Sequence, residues 1–144
     1  DILINNGRFL RPGGVLARSD TSFAKEEMEV NYFGLMRLAQ AFGPAMASRT
    51  ADGVNASVAW VNILSVHALS TQPEFGCFCA SNAAARSLSQ SLRADFRASG
   101  IRVMNLYCGP TEEEWYQPLP PPKVTPKAIA HTLVGGLQYG LEDT

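Results

Sequence analysis

An α/β fold built on a parallel sheet is predicted by three features of this chain. Short apolar runs open at Ile2, Val58 and Ile101, and each is followed by a longer stretch with helical spacing. The second run, Val58 to Leu64, is continuously apolar apart from Asn62, as in a strand covered on both faces rather than one. Glycine- and proline-rich punctuation separates the runs from the helical stretches.

Asp1 to Asn5 reads as a short strand that breaks at Asn6-Gly7. Arg8 to Asp20 carries Pro12, Gly13 and Gly14 and reads as a loop. Asp20 or Thr21 can cap a helix running to about Ser48, with Glu26, Glu27 and Glu29 in its early turns. Met28, Phe33, Leu35, Leu38, Ala39 and Phe42 follow helical spacing, and Pro44 predicts a kink or an early end. After a polar turn at Thr50 to Asn55 comes the second strand, Val58 to Leu64. Ser65 to Pro73 is a loop, and Glu74 to Ser99 is a long helix rich in Ala, Ser and Leu, closed by Gly100. Ile101 to Tyr107 is the third strand. Cys108 to Val124 is proline-rich and irregular; Thr125, with Pro126 at the first helical position, starts a last helix to about Leu141.

The 144 residues suffice for one domain, 1–144. A net charge of −1 gives no general attraction to nucleic acid or to an anionic membrane. No apolar run approaches the roughly 20 residues that span a bilayer. Cysteine is sparse and odd in number, at Cys77, Cys79 and Cys108, which predicts reduced intracellular thiols and a cytoplasmic setting over a disulfide scaffold. Cys77 and Cys79 stand two apart on a helix, about 200° around the axis, and so diverge rather than pair on a metal. The chain opens on Asp1 inside what already reads as a strand. A fragment, a processed product and an incomplete reading frame all accommodate that.

Ligands of open parallel sheets bind at the carboxyl ends of the strands. Those ends are Asn5-Asn6-Gly7, Ser65-Val66-His67 and Cys108-Gly109-Pro110, so the chain's unusual residues converge on one edge. Ser65 is followed thirteen residues on by Phe78, and four further on by Asn82, in a small-residue helix. This resembles the Ser, Tyr-x-x-x-Lys centre of the short-chain dehydrogenase/reductase family, with Phe78 at the tyrosine position and Asn82 at the lysine position. Asp1-Ile2-Leu3-Ile4-Asn5-Asn6-Gly7 resembles the family's D-x-L-x-N-N-A-G strand end, which lies against the cofactor's adenosine side. Asn31-Tyr32-Phe33-Gly34 resembles its N-x-x-G, whose Asn helps to hold a proton-relay water. Gly100-Ile101-Arg102-Val103 resembles G-I-R-V-N, and Cys108-Gly109-Pro110-Thr111 resembles the P-G-x-x-x-T loop beside the nicotinamide.

The resemblance implies a partial Rossmann-like, doubly wound parallel sheet of three strands and three helices, lacking the N-terminal dinucleotide-binding half. It implies NAD or NADP as cofactor, held by Asn5, Asn6, Gly7, Gly109, Pro110 and Thr111, with Ser65, Asn31, Phe78 and Asn82 at the catalytic positions. The family's N-terminal glycine turn T-G-x-x-x-G-x-G, whose backbone N–H groups cradle the pyrophosphate, is absent from these residues. An unpaired apolar outer edge is expected on the first strand, and the family's last strand is expected beyond Thr144. Arg8 replaces a family glycine, so either a positive φ or a reshaped loop follows. Gly109-Pro110 inverts the usual order and moves the fixed φ. In the family the tyrosine passes the carbinol proton and the lysine lowers its pKa and holds the nicotinamide ribose. Phe78 has no such proton and Asn82 no charge; loss of a general acid costs about 10²–10⁴ in rate.

These departures imply a catalytically silent member or fragment, such as an inactive subunit beside an active one. Two alternatives stand beside it: a still-active oxidoreductase using His67 as a displaced acid, and a non-enzymatic scaffold using Pro118 to Lys123, which contains P-x-x-P-x-K. A Cys79–His67 pair lacks an orienting third group. Glu112-Glu113-Glu114 reads as a solvated run or a short helix capped by Thr111; Trp115 and Tyr116 cover a cleft or simply pack. Ala80, Ala83, Ala84, Ser87 and Ser91 give the long helix a small-residue face, which, with the Asn31 helix, resembles the family's dimer interface and implies a homo-oligomer or a paralogous subunit.

Overall fold

In a computed structural model, residues 2–51, 53, 58–112 and 119–144 of the chain are described. Strand β1 (Ile2–Asn5) is followed by helix α1 (Ser22–Met28), a single π turn (Glu29–Phe33) and α2 (Gly34–Ala51). Then come β2 (Ala59–Ser65), α3 (Gly76–Phe96), β3 (Arg102–Cys108) and α4 (Pro126–Tyr139). The strands form one parallel sheet in the order β1-β2-β3.

Residues alternate between faces along each strand. Trp60 and Leu64 of β2 and Val103 of β3 bury against Leu35 and Met46 of α2 and Ala85, Leu92 and Phe96 of α3. Val61 of β2 and Met104, Leu106 and Cys108 of β3 bury on the opposite face against Leu133 of α4. Helices on both faces explain why the strands read as continuous apolar runs. The sheet is therefore a doubly wound Rossmann-type fragment. Close approach is needed at Gly43, where a Cβ would stand 3.1 Å from the Phe96 ring, so the ring of α3 packs directly on the α2 backbone there.

Buried in this core is a polar row. Asn5, Asn62 and Asn105 stand in register on adjacent strands, and Asn105 faces Asp143. The Asn62 amide donates to Ser89 Oγ (3.0 Å) and Asn105 Oδ1 (3.2 Å), and its carbonyl accepts from Trp60 Nε1 (2.9 Å). Asn105 Nδ2 donates to Asp143 Oδ1 (3.1 Å). Each buried amide thus has partners, as burial requires.

Three expectations are adjusted. Pro44 neither ends nor breaks the helix, which continues to Ala51; Pro44 is exposed, so the carbonyl it leaves unbonded lies on the solvent side. The helix predicted as one piece contains the π turn that carries Asn31. Glu142 to Thr144 already lie along the outer edge of β3, with Asn105 N donating to Glu142 O (2.8 Å) and Tyr107 N to Thr144 O (2.7 Å). Asn105 and Asp143 form an isolated parallel bridge there. The other boundaries agree closely: Gly100 is left-handed (φ 69°), and Thr125 caps α4 by accepting from Ala128 N.

Candidate functional site

The positions singled out in the sequence converge above the carboxyl end of β2. Ser65 is its last residue and is 1% exposed. Its Oγ accepts from His67 N (3.2 Å) and its own N–H donates to Asn82 Oδ1 (3.0 Å). Asn82 sits one turn after Phe78 on α3, and its Nδ2 donates to the Phe78 carbonyl (3.1 Å). The Asn82 amide therefore ties α3 to the end of β2. Phe78 is 1% exposed, in a cluster with Leu10, Phe75 and Cys79 against which Leu119 packs.

Asn31 reaches the same place from the π turn. Its Nδ2 donates to Phe9 O (2.9 Å) and Ser81 Oγ (2.8 Å), and its Oδ1 accepts from Phe9 N (2.8 Å). Ser81 Oγ in turn donates to Phe78 O (2.9 Å). All four predicted catalytic positions are thus within one buried hydrogen-bonded assembly, and each amide is satisfied by the protein itself.

His67 stacks obliquely on Phe75 (centroids 5.5 Å apart) and meets Phe78 edge-on (6.1 Å). Its Nε2 is buried without a hydrogen-bond partner. Burial pushes the imidazole pKa below its ordinary value, opposed by a backbone hydrogen bond with Ser70. The ring is therefore neutral at pH 7. Cys79 lies with its Sγ against the backbone of Gln72 (3.4 Å to N, 3.7 Å to O), while Cys77 is half-buried.

Glu27 was not among the predicted site residues. It is 1% exposed, one helical turn before Asn31, and its Oε1 accepts from Arg11 N (2.9 Å). Burial raises its pKa, opposed by the Arg11 bond and the charge of Arg18. The sequence signal available was a glutamate four residues before Asn31, on the same helix face.

The residues expected to hold a cofactor fall in two places. Asn5 belongs to the buried row, donating to Asn62 Oδ1 (3.4 Å) and accepting from Gly7 N (3.3 Å). Asn6 and Thr111 line a cleft of about 530 Å³ with Arg8, Ile63, Cys108, Glu112 and the α4 residues Pro126, Ile129, Ala130 and Leu133. Gly109 to Thr111 are pinned by Val124, whose N–H donates to Pro110 O (2.8 Å). Among the described residues only glycines have positive φ, so Arg8 reshapes its loop rather than straining it. Its Nη2 reaches Thr111 Oγ1 (3.4 Å). Glu113, Glu114, Trp115, Tyr116 and Pro118, and with them the reading of that stretch as a helix, cleft cover or proline-recognition motif, lie outside the described residues.

The model of the short chain dehydrogenase family matches residues 1–122. An uncharacterized oxidoreductase of Mycobacterium tuberculosis (strain ATCC 25618 / H37Rv) is 32% identical over 108 residues, 74% of this chain and 30% of that protein. The farnesol dehydrogenase of Aedes aegypti is 25% identical over 103 residues, 72% of this chain and 41% of that one. Among solved structures, a short chain dehydrogenase from Burkholderia cenocepacia J2315 in complex with NADP is 32% identical with a TM-score of 0.89, covering 99% of this chain and 57% of its own. The gluconate 5-dehydrogenase of the same organism, in complex with NADP and tartrate, is 28% identical with a TM-score of 0.73, covering 83% and 44%. This chain spans less than half the length of these curated relatives. By the extent of the family match and the sheet it describes, the chain belongs to the short chain dehydrogenase family.

Proposed function

We propose that this chain is a catalytically silent member of its family, in which the reaction centre survives as architecture. The observation that carries the proposal is the state of Phe78 and Asn82. Neither has a proton to transfer at neutral pH, both are buried, and both Asn82 amide groups are used, on Ser65 N and Phe78 O. Ser65 and Asn31 keep their places but bond to the protein, not to a cleft.

A nicotinamide cofactor, NAD or NADP, is the group the family implies, and the fit is divided. The cleft beside Thr111 and Asn6, floored by Ile63, Cys108 and Leu133, suits a flat ring bearing an amide. Asn82, which would have to meet the ribose as a cation, is neutral and bonded to Ser65 N and Phe78 O. No reaction step is assigned through the cofactor. A silent subunit acts by association. The small-residue face of α3, with Ala80, Ala83, Ser87 and Ser91 exposed, supports a second copy or a paralogous family subunit as partner.

The test compares two fusions behind a family N-terminal half carrying T-G-x-x-x-G-x-G. One retains Phe78 and Asn82; the other is Phe78→Tyr/Asn82→Lys. Cofactor absorbance is followed against a panel of ketones. The double variant is expected to be faster by at least about 10², the low end of a general acid's contribution. Equal, substantial rates from both would end the silent reading. A second reading, with His67 as proton carrier, has one observation in its favour, the unpartnered Nε2 beside Phe78. It predicts turnover by the fusion that retains Phe78 and its loss in His67→Gln.

A further inference from the structure

The segment Arg8 to Arg11 leaves the end of β1 without regular secondary structure, yet it is fastened at each residue to a different part of the molecule. Arg8 Nη2 bonds Thr111 Oγ1 beyond β3. The Phe9 backbone exchanges two hydrogen bonds with the Asn31 side chain in the π turn. Leu10, 5% exposed, inserts into the cluster of Phe75, Phe78 and Cys79. Arg11 N donates to the buried carboxylate of Glu27 on α1. A loop whose backbone groups are satisfied by side chains instead of a ladder opens locally at less cost than the sheet beneath it. The segment covers Phe78, 1% exposed, through Leu10 and holds Asn31, 7% exposed, through Phe9; the Phe78 carbonyl in turn accepts from Asn82, whose Oδ1 accepts from Ser65 N.

We infer that Arg8 to Arg11 form a strap that closes the site, with Leu10 as its plug and the Glu27 and Asn31 side chains as its clasps. Opening swings Leu10 out and exposes the apolar cluster around Phe78 while the sheet stays intact. Glu27 is thereby a positioning residue: it touches the strap and no reacting group. The inference concerns access alone and holds whether or not the site turns over.

Two cysteines report on it independently. Cys79 lies in the plugged cluster, and Cys108 is buried at the end of β3 in the α4-side core. The experiment is iodoacetamide labelling of the native chain in a Cys77→Ser background, with rates for Cys79 and Cys108 resolved by peptide mass spectrometry. In the parent, Cys79 labels far more slowly than a free thiol. Glu27→Ala, which leaves Arg11 N unpaired, raises the Cys79 rate about fivefold or more, the effect of one lost buried hydrogen bond on an opening equilibrium, and leaves Cys108 unchanged. Glu27→Gln, which keeps the acceptor, restores the slow rate. Leu10→Ala raises the Cys79 rate by at least about tenfold. Free-thiol labelling of Cys79 in the parent, an unchanged Cys79 rate in Glu27→Ala, or equal acceleration of Cys79 and Cys108 in both variants would overturn the strap.

Discussion

At the scale of single residues, Phe78 and Asn82 are held by packing and by hydrogen bonds within the protein. Phe78 fills an apolar cluster in which a tyrosine hydroxyl would need a partner. Phe78→Tyr alone is therefore expected to lower stability by about 1–3 kcal/mol, the cost of a buried hydroxyl left unpaired, measured by urea denaturation. No loss would mean the hydroxyl finds a partner, with His67 Nε2 the adjacent open group. Glu27 gives a second prediction. Its folded pKa is raised by burial, so between the ordinary glutamate value and the raised one the native state holds a proton the unfolded chain releases. Stability falls through that window as pH rises, and the penalty persists above it. Glu27→Gln keeps the acceptor for Arg11 N and removes the titration. The variant should gain on the parent as pH rises from about 4 towards neutrality; stability curves that run parallel across that range would show that Glu27 does not titrate with folding. Phe78 and Asn82 could be singled out in the sequence because their distance from Ser65 resembles that of the family's Tyr-x-x-x-Lys. Glu27 was hidden because a glutamate in an early helical turn reads as a dipole-satisfying surface residue; only the fold shows the Arg11 backbone arriving over it.

Among the elements, strands and helix caps were the most legible because their causes are local: apolar runs, Gly100 after α3, and Thr125-Pro126 before α4. The π turn and the Asn row were not. A π turn inserts one residue into a helix without altering its composition. Asn62 and Asn105 each interrupt an apolar run once, and only the register, which places them side by side, turns two oddities into a network. That register argues for a structural role. Asn105 accepts from both Asn62 and Ser89 and donates to Asp143, and Arg93 grips the same Asp143 through both terminal nitrogens. Asn105→Ala would strand several buried polar groups together and should cost about 2–4 kcal/mol, at the upper end of the usual range for a single substitution. Asn105→Ala/Ser89→Ala should cost less than the sum of its parts, because the second change removes a group the first left unpaired. Simple additivity in denaturation would mean that the row is not a cooperative unit.

For the whole molecule, the two edges of the sheet differ in how they are finished, and this governs how the 144-residue chain behaves alone. At β3 the backbone is met by Glu142 to Thr144 and locked by Arg93 on Asp143, whose pKa is lowered chiefly by that hydrogen bond. At the other edge, β1 pairs only with β2 among the described residues. Its Ile2 and Ile4 point to the face that α4 covers only over β2 and β3, and remain 53% and 50% exposed. An apolar strand with one unpaired side is a template for another strand. The isolated chain is therefore expected to associate in a concentration-dependent way through β1. Ile2→Lys/Ile4→Lys, which places charge on that face without touching Leu3 or Asn5, should return it towards monomer. Light scattering after size exclusion, with amide exchange at Ile2 to Ile4, separates this from association through α3. A parent chain that stays monomeric with those amides strongly protected would show the edge covered by part of its own sequence. Association that survives the double lysine variant, but not Ala83→Arg on the small-residue face of α3, would place the partner there instead.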